Sequence, residues 1–412
     1  MRVVHVSCTE RSGGAAIAAH RIHTGLIRTG VDSYLSVARP SSADPRVLGP
    51  RQGLESTTLR VAGKLDAYCC RVVSRTNERQ SAGLFGSRAL QRAVRLEPDV
   101  VNLHWINGAC VNLRQLGGLT VPAVWTLHDM WAFAGVDHYV QDLSDDWYCE
   151  ARIQSDRARG WSLEQRLTRL KRRSRPKGGL IVVAPSEWMA RCARSSHVFA
   201  DADVRCIPNC IDTEAWRPMD RAEARASLNL PGDSAILLFS GFQGFTEKRK
   251  GGDLFVELTA ALLGRGHRNV YPILVGDSVV PNELAQVCDA RAMGHSGSTD
   301  ELRRMYSAAD FVVVPSRLDN LPNVAVEAMS CGVPVAGFQV GGMCDLIVDQ
   351  TTGLSAPAYD VAALAGKVAA WLDQPARLLE MRAAARDRAL TVFSERAVIE
   401  KYLSAYADLM NK

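Results

Sequence analysis

The sequence predicts an α/β protein built on parallel sheets, and three observations carry that prediction. The first is the stretch 312–349, VVVPSRLDNLPNVAVEAMSCGVPVAGFQVGGMCDLIVD. It is entered by a wholly apolar, buried-type strand, Phe311–Val314. A polar turn covers 316–320 and a short helix 322–331. Pro322 suits the first helical turn, where its missing N–H is not needed, and Gly332 suits the residue past the helix end. Residues 333–338 form another apolar strand, and Gly341-Gly342 leads into a second helix. Strand, turn, helix, strand is a βαβ unit of a parallel sheet. The second observation is that apolar runs and helical segments alternate both before and after this unit. The third is size: 412 residues supply ample core for two or three domains.

Two carboxylates of this unit stand eight positions apart. Asp319 falls in the turn beyond the strand's C-terminal end. Glu327 falls about one turn inside the helix, whose side chains lean back toward its start. Both therefore address the crevice above the strand ends, where open α/β sheets bind ligands. The free N–H groups of the helix start favour an anion there. A carboxylate beside an anion site suits a nucleotide, with Glu327 accepting from ribose hydroxyls. By itself Glu327 equally reads as an N-terminal helix glutamate favoured by the dipole.

Asp319-x7-Glu327 followed by Ala328-Met329-Ser330-Cys331-Gly332-Val333-Pro334-Val335 resembles the signature of the retaining GT-B glycosyltransferases of group 1, family GT4. Two departures from that pattern stand out. Asp319 replaces a glutamate, and Asn320-Leu321-Pro322-Asn323 replaces Gly-Phe-Gly-Leu, so Pro322 removes one backbone donor. A sub-branch resembling colanic-acid and capsule biosynthesis transferases writes the segment this way. The resemblance implies two Rossmann-like domains facing across a cleft, with a last helix crossing back to the first. It implies a first, acceptor-binding domain over 1–207 with the crossing helix at 392–412, a linker at 208–218, and a nucleotide-sugar domain over 219–391. It also implies donor contacts from Asn320, Leu321, Asn323 and Glu327, and a reacting-centre role for Asp319.

Taken in order, 3–7 reads as a strand, 10–15 as a glycine-containing turn and 16–29 as a helix closed by Gly30. Ser12-Gly13-Gly14-Ala15 is not a dinucleotide fingerprint. The resemblance places Gly13 and Gly14 near donor phosphate and acceptor; a plain tight turn is the other reading. A strand follows at 31–37, loop at 40–57, and a helical, basic stretch at 58–95. Strands at 99–103 and 121–127 end at His104-Trp105 and His128-Asp129, on the functional edge of such a sheet. The resemblance gives His128 a place by the reacting sugar; His104 reads as packing or acting on the acceptor indirectly. His128, Asp129, Asp137 and His138 match no standard metal spacing, so no metal site is expected.

Seven of the twelve residues 166–177 are basic, with Leu163, Leu167 and Leu170 at helical spacing. This reads as a solvated helix packing its leucines, or as a surface for anionic lipid head groups. Asp201-Ala202-Asp203 reads as a turn. Pro208-Asn209-Cys210-Ile211-Asp212 resembles the family's interdomain segment, and its prolines and Asx turn suit a boundary. The strand at 235–240 is followed by Lys248-Arg249-Lys250-Gly251 and a helix at 254–263. The resemblance maps a diphosphate-binding lysine to Lys250. It gives Arg249 the role of an arginine absent beside Gly241, and places the donor base against the backbone around Gly294.

Apolar content of 47% and charged content of 23% fit a soluble globular chain, and a net charge of +5 is mild. No apolar run reaches the length of a spanning helix, and the start is too short for a signal peptide. The eleven scattered cysteines contain no Cys-x-x-Cys and read as reduced, cytoplasmic thiols, with peripheral contact at the membrane's inner face left open. No aromatic interleaving or known module points to nucleic acid. The resemblance implies a metal-independent retaining transferase. It uses a UDP- or GDP-linked sugar and no separate cofactor. Its acceptor is a saccharide, lipid-linked or small-molecule glycoside. An epimerase or hydrolase of the same fold, and a non-catalytic two-lobed sugar binder, are the rivals.

Overall fold

Seven apolar segments of the first half assemble into one parallel sheet. They are β1 (Arg2–Thr9), β2 (Asp32–Arg39), β3 (Val47–Leu48), β4 (Val100–Leu103), β5 (Ala123–Thr126), β6 (Leu180–Ala184) and β7 (Asp203–Cys206). Their order is β3-β2-β1-β4-β5-β6-β7. The second half supplies β8 (Ala235–Ser240), β9 (Val270–Val275), β10 (Arg291–Ala292), β11 (Phe311–Val314), β12 (Val335–Phe338) and β13 (Gly353–Ala356). These run β10-β9-β8-β11-β12-β13, again all parallel. The molecule is described by a computed structural model covering residues 1–50, 54–73, 80–140, 148–150, 163–241 and 245–411.

The chain forms two units, Met1–Pro208 with Val398–Lys412, and Asn209–Ala397. Each sheet follows the doubly wound order in which the first strand lies beside the fourth. The strands are near-continuous apolar runs because helices cover both faces. β4, β5, β11 and β12 are buried along their whole length. Residues 209–218 pack within the second unit, where Ile211 and Trp216 join its core. The helix Glu395–Met410 is held to the first unit's strands by two tyrosines. Asn102 Nδ2 donates to Tyr406 Oη at 2.8 Å, and Thr126 Oγ1 lies 3.2 Å from Tyr402 Oη.

Three local expectations are corrected. The stretch 58–95 is not one helical segment: a helix Leu54–Val73 and a shorter one, Ala89–Val94, flank a non-helical stretch at 80–86. The loop expected at 40–57 contains β3 and the start of that first helix. The basic segment forms a helix, Leu163–Arg173, in which Leu167 packs against Cys70, Ala82 and Val136 but the expected packing does not extend to Leu170. Leu170 is exposed, whereas Lys171 is buried and donates to the carbonyls of Trp131 and Gly135. Burial pushes the Lys171 ammonium down to about 7, against the pull of Asp129 and Asp137. Arg172 pairs with Glu150 at 3.0 Å and Arg175 with Asp201 at 2.6 Å. Three of the segment's cations therefore hold the fold together.

Candidate active site

In the second unit the switch point lies between β8 and β11. The loops leaving their C-terminal ends meet there. Arg317 N donates to Arg249 O at 2.7 Å, and Lys250 Nζ donates to Asp319 Oδ2 at 2.7 Å. Arg249 Nη1 stands 3.3 Å from the same carboxylate and donates to Leu318 O at 2.9 Å. The approach demands glycine at two positions. Gly251 has φ +73°, and a Cβ there would sit 2.1 Å from Pro315 O. Gly341 has φ +52°, and a Cβ would sit 2.4 Å from Asp319 O.

Asp319 is 6% exposed. Burial alone raises its carboxyl pKa, but Lys250 and Arg249 more than offset this and hold it at about 2. The sequence reading has Asp319 meeting the donor directly. The structure engages it with two cations, so it fixes them in place. Arg249 also pairs with Glu247 at 2.6 Å, so its charge is shared between two carboxylates while Lys250 faces Asp319. Lysine has three donors, and Asp319 takes one from Lys250, which leaves N–H groups on Lys250 for a further anion.

The turn 320–322 delivers the chain into the helix Asn323–Ser330, whose N-terminus has no side-chain cap. Asn209 Nδ2 ties this turn down, donating to Leu321 O at 3.0 Å and Asn323 Oδ1 at 3.1 Å. Glu327 is 7% exposed, not in the open crevice expected. Its Oε2 accepts from the fully buried Tyr306 Oη at 2.9 Å. Tyr306 and Asn209 carried no local sequence signal of these roles. Gly294 donates to Asp277 O at 3.0 Å and accepts from Gly276 N at 2.8 Å. Its N–H is thus committed, and only the carbonyl's second lone pair remains for a ligand.

The first unit has its own switch point, between β1 and β4. Gly13 forms the N-cap and Gly14 the first residue of the helix Gly14–Arg28, after β1. His5 on β1, His104 after β4 and His128 after β5 form a row. His5 Nδ1 lies 2.9 Å from His104 Nε2, and His104 Nδ1 lies 3.0 Å from His128 Nε2. Burial holds His5 and His104 well below the usual histidine range and His128 at about 4. His104, read from the sequence as packing or acting on the acceptor indirectly, thus links His5 to His128.

Asp129 accepts from Trp105 Nε1 at 2.8 Å, His138 Nδ1 at 2.5 Å and Trp131 N at 3.0 Å. His138 Nε2 reaches Ser81 Oγ at 3.1 Å, and Asp137 accepts from Gln80 at 2.8 Å. Of the four residues 128, 129, 137 and 138, Asp129 and His138 bond each other, while His128 contacts His104 and Asp137 contacts Gln80. Among the described residues no group of three or more His, Cys, Asp or Glu is arranged to hold a metal ion. His128 and Asp129 share one small pocket with Asn107. Asn107 Oδ1 is buried there and has no hydrogen-bond partner among the described residues. The Asp201 and Asp203 carboxylates are taken by Arg175 and Arg205.

Two family models match the chain. "Glycosyltransferase Family 4" covers residues 12–215, and "Glycosyl transferases group 1" covers residues 220–389. The chain carries the two domains of a group 1 glycosyltransferase. D-inositol 3-phosphate glycosyltransferase 1 of Catenulispora acidiphila is 33% identical over 210 residues, 48% of this chain and 49% of that protein. The chain spans about half the length of the first two such relatives. A D-inositol 3-phosphate glycosyltransferase of Kineococcus radiotolerans is 29% identical over 423 residues, 92% of this chain and 87% of that protein. Among solved structures, sucrose-phosphate synthase of Thermosynechococcus elongatus has a TM-score of 0.68 at 19% identity, covering 100% of this chain and 99% of its own. Anabaena Alr3699/HepE, in complex with UDP and glucose, also has a TM-score of 0.68, at 15% identity, over 99% of this chain and 100% of its own. The group 1 chain therefore has the GT-B fold.

Proposed function

We propose that the protein transfers a sugar from a nucleoside-diphosphate sugar to a hydroxyl of a saccharide, lipid-linked or small-molecule acceptor. The anomeric configuration is retained and no divalent ion is needed. The observation that carries this reading is the convergence of Lys250 and Arg249 on Asp319, at the switch point of the second sheet. The uncapped Asn323–Ser330 helix begins four residues after Asp319. Solved neighbours of this fold are described with UDP and with UDP-glucose, which supports a uridine donor.

The chemistry follows from charge. Breaking the bond between the anomeric carbon and the diphosphate leaves an extra negative charge on the departing oxygen. Preorganised cations that meet this charge as it forms stabilise the transition state without reorganising. Asp319 keeps Lys250 and Arg249 in place before the donor arrives. The acceptor oxygen bonds to the anomeric carbon on the face the diphosphate leaves, and its proton passes to the departing phosphate oxygen. Glu327, oriented by Tyr306, accepts from the donor's ribose. His128 serves the substrate side of the first unit, and Asn107 Oδ1, without a partner among the described residues, lines the same pocket.

Saturation-transfer NMR with UDP-, GDP- and dTDP-sugars tests the reading, followed by product analysis with and without acceptors. Inositol phosphates, after the named relatives, belong in the acceptor panel. A glycosylated product supports transfer. Free sugar or an isomerised donor formed without acceptor replaces it with the hydrolase or epimerase.

A further inference from the structure

The three histidines of the first unit are far apart in sequence yet form one continuous row. Their strands are neighbours, in the order β1-β4-β5. The rings stack at 5.2 Å and 5.3 Å between centroids, tilted by 27° and 26°. His5 and His104 are 0% and 2% exposed. His5 Nε2, at the inner end, is buried without a partner among the described residues. At the outer end, His128 uses Nε2 for His104, and its Nδ1 takes no hydrogen bond from the described residues.

We propose that His5 and His104 are positioning residues that hold His128 by its Nε2, so that Nδ1 is the ring nitrogen presented to the substrate. A neutral imidazole has one N–H and one lone pair. Each N···N contact in the row needs one of each. If His5 donates from Nδ1, then His104 and His128 must also carry their protons on Nδ1. If His128 donates from Nε2, then all three carry theirs on Nε2. No mixed arrangement satisfies both contacts. The proton state of Nδ1 on His128 is therefore set jointly with a ring on β1 that does not touch it. This matters because a histidine acts through whichever nitrogen its second contact leaves available. The catalytic consequence rests on the role proposed above for His128; the locked tautomer does not.

Long-range proton–nitrogen NMR of the full chain labelled with ¹⁵N-histidine, at pH 7.5, reads each tautomer directly. His→Gln variants assign the three rings. His5, His104 and His128 should share a single tautomer. In His104→Gln, and also in His5→Gln, the His128 signals should shift toward those of an unrestrained ring, with the backbone amide spectrum otherwise kept. With an identified donor, His104→Gln should lower kcat by up to roughly 10²-fold, the scale of a small misplacement of a reacting group. Donor KM should not change. Averaged His128 tautomers in the unaltered protein, or His128 signals indifferent to both variants, overturn the inference. A locked row in a protein with no transferase activity upholds the inference and removes the transfer reading instead.

Discussion

Lowering the pH from 6.5 to 5.5 should destabilise the first unit selectively. His5, His23 and His104 are 0%, 1% and 2% exposed. Burial holds His5 and His104 well below the ordinary value of 6.5 and His23 at about 4. All three stay neutral in the native state over this interval, while the unfolded chain takes up protons. The stability they confer is complete above pH 6.5 and is lost as pH falls toward their native values. For an unfolded pKa of about 6.5, each ring costs about 1 kcal/mol between pH 6.5 and 5.5, or about 3 kcal/mol together. His128, held at about 4 by burial, acts in the same direction. The second unit has only His267, half-buried, and the exposed His295. Urea titrations followed by methyl NMR signals of each unit measure the difference. With a slope of about 2–3 kcal/mol per M, the first unit's midpoint should drop by about 1 M. The second unit's should stay nearly constant. Equal shifts in both units, or none in the first, would refute neutral burial of these rings.

Glu327→Gln should weaken donor binding while preserving the fold, because the amide oxygen still accepts from Tyr306. Glu327→Ala should also cost about 1–3 kcal/mol of stability, since it strands the buried Tyr306 hydroxyl; calorimetry and urea unfolding separate the two effects. Transfer activity should persist in excess EDTA, since Lys250 and Arg249 are proposed to supply the positive charge. Loss with EDTA and rescue by magnesium or manganese would show that they do not suffice.

The strands were legible in the sequence because parallel strands buried on both faces are written as uninterrupted apolar runs. Phe311–Val314 is the plainest case. The Asp319–Glu327 spacing was legible because turn and helix lie in one short stretch. What was hidden depends on distant pairing. His5 and His104 are 99 positions apart, and Lys250 and Asp319 are 69 apart. No local pattern announces such contacts. Glu327 looked solvent-facing because its partner Tyr306 sits on another helix. The basic helix misled for a different reason. Periodicity ranks residues by polarity, so it buries Leu170 and exposes Lys171. The fold reverses this because two backbone carbonyls satisfy the Lys171 ammonium.

The central claim is that Lys250, held by Asp319, receives the donor's diphosphate. Titration calorimetry of the unaltered protein and Lys250→Ala against the best-binding nucleoside-diphosphate sugar, with kcat/KM for transfer, tests it most directly. The account predicts that Lys250→Ala weakens donor binding and slows transfer by roughly 10²–10³-fold, the scale of losing one preorganised charge contact. Lys248→Ala, at an exposed position, should change little. Unchanged donor affinity and unchanged kcat/KM in Lys250→Ala would contradict the claim and place the diphosphate elsewhere.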